Sequence, residues 1–168
     1  MMDNGRVLHA SQNDVHILRF IGDIRYPISP SIARYIDEIF SGSSPAGFVI
    51  DLTETDSIDS TNLGLLVRVA RRMQGLSDQR ITIISNHADI NSVLYSMSLD
   101  EVFDIVENGR LPAGSGEKIS HETADRENLQ RTLIDAHHAL MDLSKKNRGM
   151  FKDVVASLEN SRNAEKQP

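Results

Sequence analysis

A chain of 168 residues with 39% hydrophobic and 25% charged side chains suits one packed domain plus an appendage, and is too apolar for wholesale disorder. It holds no Cys and no Trp, which excludes disulfides, thiol catalysis and cysteine-ligated metal centres and leaves an aliphatic core. The net charge of −6 argues against general nucleic-acid binding, which needs a basic face. No apolar run reaches the roughly 20 residues of a membrane span, and Met1 to Ala10 lacks the apolar stretch of a secretory signal, so a cytoplasmic protein is expected.

In chain order, Arg6 to Ser11 and Val15 to Ile21 are β-favouring segments joined by Gln12-Asn13-Asp14, a hairpin pattern, and Gly22-Asp23 is expected to break the second strand. Ser29-Pro30 opens a helix whose Ile32, Tyr35, Ile36 and Ile39 share one face. Phe48 to Leu52 reads as a buried strand. Leu63 to Met73 reads as a second helix with Leu65, Leu66, Val69 and Met73 inward, Arg68, Arg71 and Arg72 towards its negative end, and Gly75 as a stop. Ile81 to Ile84 is a further buried strand, Asp89 to Met97 a third helix and Val102 to Val106 a last strand. The order β-β-α-β-α-β-α-β implies an α/β fold: a small sandwich of a mainly parallel sheet with helices packed against it.

The charge is unevenly placed. Residues 1–110 hold nine arginines, no lysine and fifteen acids, whereas residues 111–168 hold nine basic and nine acidic residues, with all five lysines. Gly109 to Gly116 is rich in Gly, Pro and Ser, so the expected organisation is a domain at 5–108, a linker at 109–117, a helical extension at 118–162 and a disordered tail at 163–168. In the extension, Leu129, Leu133, Ala136, Leu140, Leu143, Asn147, Met150 and Val154 keep 4-3 spacing, with Asn147 at a register-fixing polar position. The competing pattern is a helical hairpin, stopped at Lys145-Lys146-Asn147-Arg148-Gly149 and resumed through Met150, Phe151, Val154, Val155 and Leu158. Apolar residues off the narrow stripe favour the broken form.

The chemistry concentrates between the central strand and the second helix, in Asp51-Leu52-Thr53-Glu54-Thr55-Asp56-Ser57-Ile58-Asp59-Ser60-Thr61-Asn62-Leu63-Gly64, read as a loop. Ser60 or a neighbour should sit at the helix N-terminus, where unpaired N–H groups favour an oxygen acceptor or anion. The plain alternative is that Asp59, Ser60 and Thr61 only cap the helix. Asp51, Glu54, Asp56 and Asp59 also suggest a divalent-cation site of receiver type, but such a site requires a late lysine and residues 1–110 contain none, so no metal and no cofactor are expected. His121 to Asp125 lacks the second His of a zinc-protease pattern, and His137 and His138 point in different directions on a helix. Without a nucleophile elbow or phosphate loop, a conventional enzyme is not indicated.

Ile58-Asp59-Ser60-Thr61-Asn62-Leu63-Gly64-Leu65-Leu66 resembles the signature loop and helix of STAS domains, as found in bacterial anti-sigma factor antagonists. Asp51-Leu52 is similar to the end of that family's preceding strand, and Gly22-Asp23-Ile24 to the turn that begins the other part of its interaction surface. Asn62 stands where the family usually has Gly, and Arg25-Tyr26-Pro27 replaces its acidic and small polar residues. The resemblance implies a phosphorylatable serine at Ser60, with Asp59, Thr61, Asn62, Gly64, Asp23 and Asp56 supporting it or meeting a partner. It implies a switch that binds a serine kinase or anti-sigma factor when Ser60 is unmodified and is reset by a metal-dependent serine phosphatase; separately, the amphipathic C-terminal helices suggest a second binding surface, for a homodimer or a downstream regulator. A non-phosphorylated STAS scaffold, or a ligand-binding accessory subunit, is the alternative role.

Overall fold

A computed structural model describes residues 4–111 and 116–166. Its elements are β1 (Arg6–Gln12), β2 (Val15–Ile24), α1 (Ser29–Ser41), β3 (Gly47–Ile58), α2 (Ser60–Gln74), β4 (Ile81–Ile84), α3 (Ala88–Ser96), β5 (Phe103–Val106), β6 (Glu117–Lys118), α4 (Arg126–Met141) and α5 (Lys145–Lys166). The strands form one sheet in the order β5-β4-β3-β2-β1-β6. The pairs β2/β3, β3/β4 and β4/β5 are parallel, and β1 runs antiparallel to β2 and β6. This is the α/β architecture expected from the alternation of elements.

The β1–β2 turn contains Asn13 and Asp14 at φ 52° and 62°, so two residues that tolerate left-handed backbone close a tight hairpin. Val7, Leu18, Phe20, Ile50, Leu52 and Ile83 from the strands and Ile32, Leu63, Leu66, Val67 and Leu94 from the helices are buried in one apolar core. The four inward residues expected on α2 are all buried. Asp51, 2% exposed, is fixed from two sides: Arg19 Nε donates to its Oδ2 at 2.9 Å, and the Thr53 N–H and hydroxyl donate to its Oδ1 at 2.9 and 2.7 Å.

Four expectations need correction. Gly22-Asp23 does not end β2, which continues to Ile24 because the strand absorbs an irregularity there instead of breaking. The acidic segment read as a loop is mostly strand, since β3 keeps pairing with β2 to Ile58. The extension breaks at 142–144, not at Gly149: the Ser144 hydroxyl accepts the Asn147 N–H at 3.1 Å and caps α5, which carries Gly149 exposed in its interior. The tail is helical to Lys166, where Arg126 of α4 pairs with Glu165 at 2.5 Å. Residues 112–115 of the expected linker and the last two residues of the tail lie outside the described residues.

The extension packs on the rest of the chain. β6 pairs with Leu8 and His9, and Ile119, 2% exposed, donates its N–H to Val7 O at 2.9 Å. Asn147 is fully buried, and its Nδ2 donates to Met97 O at 2.7 Å and Leu140 O at 2.8 Å. The 4-3 stripe fails at Met150 and Val154, which are exposed, while Phe151 and Val155 are buried, Phe151 in the same core as Leu140. Asn147 thus fastens the α4–α5 turn to the end of α3.

Candidate functional site

The site is assembled where β2 and β3 end and α2 begins. Arg19 faces Asp51, but Ile21 faces Glu54 and Asp23 faces Ser57, so β3 gains one residue at each of two irregularities. Such bulges twist a strand and re-aim its side chains. The second lies at Gly22, whose φ of 86° glycine adopts without steric cost. Beyond it the Asp59 N–H donates to Ile24 O at 3.1 Å, fixing the entry to α2.

Asp59, with φ −86° and ψ 170°, is the N-cap. Its Oδ1 accepts the Asn62 N–H at 3.0 Å and Asn62 Nδ2 at 2.9 Å. Asn62 has ordinary helical backbone, so glycine is not required at this position, and its side chain folds back on Asp59. Thr61, Asn62 and Gly64 are buried. Asp23 accepts from Ser57 Oγ and from Arg25 Nε, the latter at 2.7 Å. Asp56 and Glu54 are exposed on β3. Asp51 is not part of this group: it lies seven residue steps along the strand from Ile58, roughly 23 Å at about 3.3 Å per residue. Among the described residues, no three metal-ligating side chains converge.

Ser60 is the first residue of α2 and half-buried. Its Oγ lies 2.8 Å from His137 Nε2, and His137 Nδ1 lies 2.7 Å from Leu133 O. Facing a carbonyl, Nδ1 carries the proton, so in the neutral ring Nε2 accepts from the Ser60 hydroxyl. His137 is 4% exposed and its ring meets Phe151 of α5 edge-on, with centroids 5.3 Å apart. Its neighbour His138 points to solvent and reaches Glu159 at 2.9 Å.

Ser60 and Gly64 are four residues apart and share a face of α2. α4 lies across that face: a Cβ built on Gly64 would stand 2.2 Å from Ala136 O and 2.8 Å from Ala136 Cα. A polar cleft of about 530 Å³ opens between α1, α2 and α4, lined by Arg34, Arg68, Arg131, Asp37 and Glu122 among others, and Ser60 does not line it.

The structure therefore brings Asp59, Ser60, Thr61, Asn62 and Gly64 together at one helix start, with Asp23 held beside the last turn of β3. Sequence reasoning missed His137. Its signal was periodicity: Leu133, Ile134, Leu140 and Met141 stand four and three residues to either side, which places the ring on an inward face.

A STAS domain family model matches residues 8–110. A crystal structure of an anti-sigma factor antagonist from Mycobacterium paratuberculosis is similar in fold: 19% identical, TM-score 0.50, covering 60% of this chain and 83% of that chain. No curated protein sequence matches the chain. Among the described residues, no helix is long and apolar enough to cross a membrane.

Proposed function

The chain belongs to the STAS domain family, and we propose that it is a phosphorylation-controlled protein–protein switch of the anti-sigma factor antagonist type, with Ser60 as acceptor and no catalytic role of its own. The unmodified form binds a serine kinase or anti-sigma factor, phosphorylation releases it, and a metal-dependent serine phosphatase restores it.

The observation that carries this reading is the placement of Ser60. Its hydroxyl leads α2 directly after the cap, while the adjacent Thr61 is buried. Ser57 is engaged with Asp23, and Thr55 donates to Phe20 O at 2.7 Å. A phosphate on Ser60 adds about −1.5 to −2 charges. The helix N-terminus stabilises it by about 0.3–1 kcal/mol, but Asp59 and the exposed Asp56 oppose it. The fold survives while the face turns strongly anionic. A partner that buries unmodified Ser60 would have to desolvate a dianion, which exceeds a typical coupling of about 1–3 kcal/mol.

One observation favours a second reading, a STAS scaffold that is never phosphorylated: the Ser60 hydroxyl already has a partner in His137. Phosphate-affinity gels separate the two. Co-expression with a kinase encoded beside this chain should shift wild type, Thr61→Ala and Asp59→Asn but not Ser60→Ala. A shift that survives Ser60→Ala contradicts the assignment, and no shift in any form favours the scaffold.

A further inference from the structure

We infer that the α4–α5 hairpin is a built-in regulator of Ser60: docked, it covers and holds the hydroxyl, and a phosphate on Ser60 and the fully docked hairpin exclude one another. This rests on the reading of Ser60 as the phosphate acceptor.

The hairpin touches the site twice on one face of α2. At Ser60 the hydroxyl proton is directed to His137 Nε2, and one turn on, Gly64 lets the backbone of Ala136 approach too closely for any side chain. Phe151 backs the His137 ring, and Asn147 ties α5 to Met97 O and Leu140 O, so the two helices act as one cover. Phosphoryl transfer needs the opposite arrangement. A nucleoside triphosphate in a kinase must line up with Ser60 Oγ; the new P–O bond forms there, the bond to the leaving nucleoside diphosphate breaks, and the hydroxyl proton passes to a base of the kinase. While the hydroxyl is bonded to His137 under α4, that line of approach is contested.

The exclusion also runs in reverse. Phosphoserine has no Oγ–H to donate, so the bond from the hydroxyl to His137 Nε2 is lost on modification. Three phosphate oxygens must then fit where one hydroxyl sat, beneath a helix that one turn on already touches the α2 backbone at Gly64. By linkage, whatever loosens the hairpin favours phosphorylation, and phosphorylation loosens the hairpin by the same factor.

Amide hydrogen exchange on the full chain tests this, comparing wild type with Ser60→Glu and Ser60→Ala. The expected result is at least tenfold faster exchange over α4 in Ser60→Glu, a smaller rise in Ser60→Ala, and unchanged β2 and β3; α4 exchange equal to wild type in Ser60→Glu overturns the proposal. Because the chain has no cysteine, Ser60→Cys gives a second readout that does not depend on the charged variant folding. At pH 9.5, above the ordinary thiol value of about 8.5, alkylation by iodoacetamide should be at least tenfold slower than at Ser44→Cys, an exposed position. Adding Gly64→Ala should recover most of that difference. Equal rates at the two cysteines overturn the cover. Phosphate mapped to Ser60 with α4 exchange unchanged defeats this inference alone, whereas a Ser60 that is never phosphorylated defeats the acceptor reading even if the cover is found.

Discussion

Replacing Gly64 by Ala adds one methyl group at the closest contact between α2 and α4. The new Cβ would lie 2.2 Å from Ala136 O and 2.6 Å from Ala136 C, backbone atoms that cannot rotate away. Restoring ordinary contact moves α4 outward by roughly 1 Å, a gap that forfeits a quarter to a half of the dispersion energy of the atoms it separates. Overpacking of this kind costs about 1–3 kcal/mol, and a backbone clash belongs at the upper end. Ala is a better helix former than Gly by about 1 kcal/mol, so the net loss is about 2 kcal/mol. For a chain of this size that lowers Tm by about 4–8 °C. The same displacement stretches the Ser60–His137 bond from 2.8 Å to about 3.8 Å, outside hydrogen-bond range. Thermal unfolding by circular dichroism, with the His137 ring nitrogens followed by NMR, reads both effects. A variant that melts within 1 °C of wild type with its His137 signals unmoved would show that α4 is not seated on Gly64.

Asp51→Ala should cost about 2–4 kcal/mol in urea unfolding, because a largely buried Arg19 and the Thr53 N–H and hydroxyl lose their carboxylate; a cost below about 1 kcal/mol would refute a structural role. Asn147→Ala should cost about 1–3 kcal/mol, since Met97 O and Leu140 O lose its Nδ2 donor, and unchanged stability would remove it as the fastener of the hairpin. Acid should weaken the fold through His9 and His16, which lie 2.8 Å apart under Tyr35. Both are held below the ordinary 6.5, His9 by burial and then by His16 despite Glu117, and His16 by burial despite Asp14. The unfolded chain therefore takes up protons first, stability is fully present above 6.5 and declines as pH falls below it. His16→Asn should flatten that decline between pH 7 and 5, and an unchanged slope would contradict it.

Most of the fold was legible because short β-favouring runs and helical spacing signal locally: β4 falls where Ile81 to Ile84 predicts it, and α2 carries its four inward residues as expected. The helix start was legible too, because an Asp-Ser-Thr sequence before an apolar helix has a capping mechanism. The rest depended on long-range pairing. Whether Glu54 and Asp56 sit on loop or strand is decided by β2 beside them, and polar residues alone could not announce a bulged strand. The hairpin break was misplaced because Lys-Lys before Gly149 outweighed Ser144, whose cap becomes visible only with Asn147 placed. His137 lies 77 residues from Ser60 in the chain, and only the packing of α4 on α2 makes the pair.

The central claim is that charge at Ser60 controls docking. The most direct measurement is calorimetric titration of a serine kinase or anti-sigma factor that binds the unmodified chain into the full chain, unmodified and stoichiometrically phosphorylated on Ser60. Kd should be at least tenfold weaker for the phosphorylated chain, about 1.4 kcal/mol or more; equal affinity for both forms would show that the charge does not control docking.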